Sequence, residues 1–252
     1  MKYISLPDES VRRLISADAP TRCLSFYLAM EEFVARRLDE SDCFFMWQVE
    51  PSVIFGRNQV VENEVNLEYC KAHGIKVYRR KSGGGCVYAD MDNLMWSFIT
   101  AEESVGFAFN RFVNMVLLVL RKLGIAATGS SHNDIMIGDK KVCGTACYHV
   151  AGRSIVHSTM LYDTNMDHML NAITPGPDKL EKKGIQSVRQ RITLLKDYLK
   201  DAHHPKSAEE LKAFVRETLC DGEYVLTEAE IAEVEQIEQT YLKEDFINLI
   251  QQ

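Results

Sequence analysis

The sequence predicts a mixed α/β fold of the α+β kind, with a largely antiparallel sheet packed by helices. Three features point there. Short runs rich in β-branched and aromatic residues fill the middle of the chain, helical apolar stripes flank them, and Gly138-Asp139 sits between two strand-like segments as a tight hairpin would require. The 252 residues, 46% hydrophobic and 26% charged, suffice for a sizeable core and exclude collagen-like, disordered and coiled-coil classes.

Taken in order, Leu24, Tyr27, Leu28, Val34, Ala35 and Leu38 recur at helical spacing after Thr21, with Glu31, Glu32, Arg36 and Arg37 as the polar remainder. Strands are expected at 44–49, 52–55, 75–79, 86–89 and 94–100, separated by Pro51, Gly56 and a glycine cluster. Phe109, Phe112, Val113, Val116, Leu117, Leu120 and Leu123 form a second helical stripe, which Gly124 ends as a C-cap and which should cover the sheet. Residues 134–137 and 140–147 make the hairpin, and 153–162 a third strand beside it. Pro175-Gly176-Pro177 marks a loop followed by a lysine-rich segment. Two helices then begin at Ser207-x-x-Glu210 and Thr227-x-x-Glu230, where the glutamate can complete a capping box.

With no repeat, low-complexity tract or linker, residues 1–252 read as one domain whose part from about 200 to 252 is helical. There are 29 Lys and Arg against 36 Asp and Glu, and the net charge of −7 argues against nucleic acid or an anionic membrane as partner. The first residues lack a signal-peptide core and no run would span a bilayer, so a cytoplasmic location is expected. The seven cysteines show no C-x-x-C spacing; reduced thiols are expected, without a structural metal. His149 and His157 have no paired motif and read as packing residues without a catalytic role.

The stretch Arg79-Arg80-Lys81-Ser82-Gly83-Gly84-Gly85-Cys86-Val87-Tyr88 carries the most chemistry. Consecutive glycines between strands let backbone N–H groups approach an anion, and three cations stand beside them. The spacing is neither that of a P-loop nor that of a dinucleotide fingerprint. A phosphate cradle and a plain glycine-rich turn with a solvated basic flank both fit these residues.

Several ordered motifs run from about Leu24 to Leu195. Arg80-x-Ser82-Gly83-Gly84-Gly85-x-Val87-Tyr88-x-Asp90 is followed by Asn93 and Ser97-Phe98, and preceded by Trp47-x-x-Glu50-Pro51-x-Val53-Ile54-x-Gly56-Arg57-Asn58-Gln59. Further on stand Asn133-Asp134-Ile135, then Lys140-Lys141-Val142-x-Gly144-x-Ala146, then Lys183-Gly184-Ile185-x-Ser187-Val188-Arg189-x-Arg191-Ile192. Together they resemble the lipoate–protein ligase family, within the biotin/lipoate ligase and octanoyltransferase superfamily.

The resemblance implies a catalytic domain related to class II aminoacyl-tRNA synthetases and biotin–protein ligases. The reaction it implies has two steps: lipoate attacks the α-phosphate of ATP, and the resulting lipoyl-AMP is attacked by a lysine of a lipoyl domain. The implied acceptors are the lipoyl domains of 2-oxoacid dehydrogenase complexes and the glycine cleavage H protein. Lys141 matches the family's catalytic lysine, whose ammonium stabilises charge growing on the α-phosphate. Read alone, a lysine on a hairpin is an ordinary solvated residue. By the same resemblance Arg80 holds phosphate oxygens. Ser82, Gly83, Gly84, Gly85, Cys86, Val87, Tyr88, Asn133 and Asp134 complete the ATP and lipoyl-AMP site, and Asp134 either binds Mg²⁺ or orients Lys141. Lys179, Lys182, Lys183, Arg189 and Arg191 would meet ATP or an acidic lipoyl domain, or form a solvated helix face.

Cys86, Asp92 and Ser158 stand where the family commonly has alanine, glycine and glycine. The chain also ends without the small C-terminal accessory domain of many bacterial ligases, which implies either a separate accessory protein or transfer of a preformed acyl group. A cysteine-thioester octanoyl- or lipoyl-transferase is the rival enzyme, but Ser130-Ser131-His132-Asn133-Asp134 holds no cysteine where the related transferases have theirs. A biotin ligase would carry a different glycine motif, and retention of Lys141 speaks against a non-catalytic binding module.

Overall fold

Period-two alternation along the central strands decides which helix each side chain meets. The structure is a computed structural model that describes residues 1–7, 21–39, 42–102, 104–131, 134–173 and 191–247. The first half contains β1 (Lys2–Ser5), α1 (Leu24–Arg37), β2 (Asp42–Trp47), β3 (Ser52–Phe55), α2 (Val61–Glu64), α3 (Leu67–Ala72), β4 (Lys76–Arg79), β5 (Val87–Ala89), β6 (Leu94–Thr100) and α4 (Val105–Lys122). The second contains β7 (Thr128–Gly129), β8 (Ile135–Ile137), β9 (Lys140–Val150), β10 (Arg153–Met160), α5 (Met166–Ala172), a 3-10 turn at Leu195–Tyr198, α6 (Ala208–Leu219), β11 (Gly222–Val225), α7 (Glu228–Tyr241) and α8 (Glu244–Ile247).

The main sheet runs β11-β1-β2-β6-β10-β9-β8-β7, parallel where β1 meets β11 and β2 and antiparallel elsewhere. A smaller sheet, β4-β3-β5, pairs β3 parallel to β4 and antiparallel to β5. The expected mixed, largely antiparallel sheet is therefore present. On one face Cys43, Phe45, Met95, Ile99 and Ile155 pack with Leu24, Leu28 and Ala29 of α1, and α7 closes the far side of that helix through Ile231, Val234 and Tyr241. On the other face Phe44, Trp96, Phe98 and Val156 pack with Phe112, Val116 and Leu120 of α4. A third cluster joins Val53, Phe55 and Tyr88 of the small sheet to Val61, Cys70 and Met169.

Turn chemistry follows the expectations closely. Gly124 lies at φ +69° while the Ile125 N–H reaches back to the Leu120 carbonyl, closing α4 as a left-handed cap does. Gly138 turns the β8–β9 hairpin at φ +61°. Thr227 caps α7 with both halves of a capping box. At α6 only half forms: Ser207 accepts from the Glu210 N–H, but the Glu210 carboxylate accepts from the Lys206 N–H.

Two expectations need correction. Glu31 and Glu32 are not a solvated face of α1; they are 0% and 5% exposed, because sheet and α7 enclose that helix from both sides. The part from about 200 to 252 is not wholly helical: β11 interrupts it and pairs in parallel with β1 at one end of the main sheet, both runs being too short to show a period. The motif 183–190 and Lys179, Lys182, Lys183 and Arg189 lie outside the described residues, as do His132 and Asn133. No helix among the described residues is long and apolar enough to cross a membrane.

Candidate active site

The glycine loop is assembled around a buried arginine. Arg80 follows β4 and is 4% exposed, and its backbone N–H donates to the Phe55 carbonyl at 3.0 Å. Its guanidinium donates from Nε to Ser82 Oγ at 2.9 Å, from Nη1 to the Ile54 carbonyl at 3.0 Å, and from Nη2 to the Gly83 and Gly85 carbonyls, both at 2.7 Å. The fork expected on a phosphate thus grips the carbonyls of its own loop, since a buried guanidinium must find acceptors nearby. Burial pulls Arg80 down to about 10, which leaves it charged near neutral pH.

The neighbouring cations are engaged too. Arg79 Nη1 donates to the Arg57 and Gln59 carbonyls at 2.7 and 3.0 Å, and Lys81 pairs with Glu32 while lying 4.6 Å from the Tyr241 ring centre. The basic flank is therefore structural rather than a free anion trap. The loop sits hard against β3: a Cβ on Gly56 would lie 2.2 Å from the Gly84 carbonyl oxygen, and Gly84 itself adopts φ +88°. Both positions require glycine for that close approach.

Lys141 is the second residue of β9, where Thr193 N–H donates to its carbonyl at 2.9 Å. Its ammonium pairs with Asp134 Oδ1 at 2.9 Å. It lies directly over Gly144, where a Cβ would come within 2.8 Å of both Cε and Nζ. The K-x-x-G spacing thus has a steric reason: a Cβ at position 144 would force the end of the Lys141 side chain to shift from that spot. Asp134 is placed in turn by its N–H to Ser130 Oγ at 3.2 Å.

Lys141 and the glycine loop meet at one cavity. Leu28, Trp47, Ile54, Val87 and Met95 form its apolar wall, while Arg80, Lys141, Thr145 and His157 contribute polar groups, with Gly84, Gly85 and Cys86 alongside. Arg80, Gly84, Gly85, Cys86, Val87 and Lys141 are thus brought together as expected. Ser82 lies behind Arg80, fully buried, and Asp134 reaches the cavity through Lys141. Gly83 contributes its carbonyl to Arg80. Tyr88 turns its ring, 1% exposed, into the third core cluster rather than toward the cavity. Asp90 and Asn93 are buried bracing groups: Thr164 Oγ1 donates to Asp90 Oδ2 and accepts from Asn93 Nδ2, each at 2.9 Å.

Burial pushes the Cys86 thiol up to about 12, and Cys143 likewise, so neither forms a thiolate readily. His149 is exposed, as its packing reading allows, but His157 is not the inert residue expected. It lines the cavity, donates from Nδ1 to Glu31 Oε2 at 2.9 Å, and meets Ser82 Oγ through Nε2 at 2.7 Å. One signal could have revealed this. Glu31 falls in the apolar stripe Leu24, Leu28, Ala35, Leu38, and a carboxylate there requires a buried partner.

An apolar cavity with a cationic side, set under a glycine loop on a mixed sheet, defines an α/β domain suited to an apolar acid and an anionic co-substrate. The chain belongs to the lipoyl protein ligase A/B catalytic domain family, which it matches over residues 24–219. It is 37% identical over 216 residues to lipoate–protein ligase 1 of Staphylococcus aureus, covering 83% of this chain and 65% of that protein. The chain therefore spans a little under two thirds of that relative. In structure it is similar to the bi-partite lipoate protein ligase of Thermoplasma acidophilum, studied with its E2 lipoyl domain, with a TM-score of 0.79, 25% identity, and 100% and 97% of the two chains covered. A lipoate-protein ligase A bound with ATP gives a TM-score of 0.76 at 27% identity over 90% of this chain and 94% of that one.

Proposed function

We propose that the chain activates lipoate with ATP and passes the lipoyl group to a lysine of lipoyl domains, in the cytoplasm. The observation that carries this reading is the Lys141 ammonium, held by Asp134 over Gly144 beside the glycine loop and the apolar cavity. The apolar wall suits the acyl chain, and Lys141 suits the carboxylate and the α-phosphate together. As a carboxylate oxygen bonds to the α-phosphorus and the bond to pyrophosphate breaks, negative charge grows where that ammonium already stands. The acceptor amine then attacks the acyl carbon, AMP leaves with the bonding pair, and the amine gives up a proton.

The S. aureus relative and the ATP-bound neighbour support ligation with ATP, and the Thermoplasma system supports lipoyl domains as acceptors. Those of 2-oxoacid dehydrogenase complexes and the glycine cleavage H protein are the candidates. Asp134 is occupied by Lys141, and no group of three or more ligating side chains gathers among the described residues. Mg²⁺ would be held by the nucleotide's phosphates with one or two carboxylates, of which Asp134 is the candidate at the cavity. The raised Cys86 thiol speaks against a cysteine-thioester transferase.

The test is intact mass of an unmodified lipoyl domain incubated with this protein, Mg-ATP and lipoate. A lipoylated acceptor supports a self-sufficient ligase. Lipoylation only from preformed lipoyl-adenylate assigns activation to a separate accessory protein, and no lipoylation from either donor overturns the reading.

A further inference from the structure

We infer that Glu31, His157 and Ser82 form a positioning relay that fixes Arg80, and through it the glycine loop, above the cavity. The inference rests on the function proposed above only for its kinetic readout. Its origin is register: Ser97 of β6 and His157 of β10 are cross-strand partners on the sheet face that α1 covers, and Glu31 points down between them from the helix. Trp47 Nε1 donates to Ser97 Oγ at 2.9 Å, Ser97 donates to Glu31 Oε1 at 2.6 Å, and His157 Nδ1 donates to Glu31 Oε2 at 2.9 Å. His157 Nε2 then accepts from the Ser82 hydroxyl at 2.7 Å, while Ser82 Oγ accepts from Arg80 Nε at 2.9 Å.

Hydrogen-bond arithmetic fixes the direction of this chain. Ser97 donates to Glu31, so the carboxyl serves as an acceptor here; an Nδ1–H on His157 gives it a second donor and leaves Nε2 as the acceptor for the Ser82 hydroxyl. A carboxylate at one end and a guanidinium at the other polarise every link the same way. All members are at least nine-tenths buried, so losing a link leaves its partner short of a hydrogen bond. A serine, histidine and carboxylate in this order also occur in hydrolytic triads. Here Ser82 is fully buried and already accepts from Arg80, so it positions rather than attacks.

The decisive measurements are histidine-¹⁵N NMR of the unliganded wild-type protein and amide exchange of residues 82–86 in Glu31→Gln, Ser82→Ala and the double variant. His157, assigned by its loss in His157→Gln, is expected as the neutral Nδ1–H tautomer. Each single variant should speed loop exchange about tenfold or more, and the double variant should add little, since both cut one chain. In single-turnover adenylation Glu31→Gln should slow the chemical step by about 10- to 100-fold, the usual worth of a hydrogen bond to a charged group, while lipoate binding holds. An Nε2–H tautomer, or loop-exchange effects that simply add, would overturn the relay. If wild type forms no adenylate, activation passes to a separate accessory protein and the kinetic readout is lost, yet tautomer and loop exchange still decide the relay.

Discussion

A single methyl group at position 144 tests how Lys141 is held. In Gly144→Ala the new Cβ would lie 2.8 Å from Cε and Nζ, so the ammonium must leave its place beside Asp134. Adenylate formation should fall about 100-fold or more, comparable to losing a charge-stabilising donor, while the melting temperature moves little. Cys86 offers the opposite expectation. With its thiol raised to about 12 by burial, it should resist alkylation near pH 8 while the exposed Cys23 reacts, and Cys86→Ala should keep acyl transfer. Loss of transfer in that variant would revive the thioester mechanism. At this scale Lys141 and the glycines were legible because their spacing is a motif. Glu31 and His157 were not, because their partners come from residues 82 and 97, which only strand register brings together.

Elements hold the loop as much as residues do. Gly56→Ala should drive a Cβ into the Gly84 carbonyl and lift the glycine loop from β3, seen as faster amide exchange in the loop and weaker nucleotide binding. At the start of α7, Thr227→Ala removes the side-chain half of the capping box while the backbone N–H still donates to Glu230, and should cost about 1 kcal/mol, a shift of roughly 2–4 °C in Tm. Between α1 and the loop, burial pushes the Glu32 carboxyl up, but hydrogen bonds from Lys81 and Arg36 outweigh it and hold it below its ordinary 4.5. A carboxyl lowered on folding contributes stability in full above 4.5 and loses it as pH falls through the lowered native value. Glu32→Gln should therefore destabilise near neutral pH and narrow its gap to wild type in acid, measured by urea midpoints across pH. The longer helices α1, α4, α6 and α7 were readable from stripes and caps, and β6 from its unbroken apolar run, whereas the short α2, α3, α5 and α8 were not. The depth of α1 was not, since burial on both sides depends on α7, more than two hundred residues away in sequence.

For the whole molecule, the mixed and mostly antiparallel sheet follows from local signals: Gly138 at a hairpin, alternating strands, and helices long enough to cover them. The parallel edge made by β1 and β11 joins chain segments more than two hundred residues apart, and nothing local announces it. The same separation of scales governs function. The motif names Lys141 and the loop, but the fold determines that Arg80 faces its own carbonyls and leaves Lys141 as the cation best placed to act. The most direct measurement is single-turnover formation of lipoyl-adenylate by wild type and Lys141→Ala, with thermal melting to confirm both are folded. Adenylate from wild type and a loss of about 100-fold or more in the folded variant is the expected result; a folded Lys141→Ala that forms adenylate as fast as wild type would contradict the central role of that lysine.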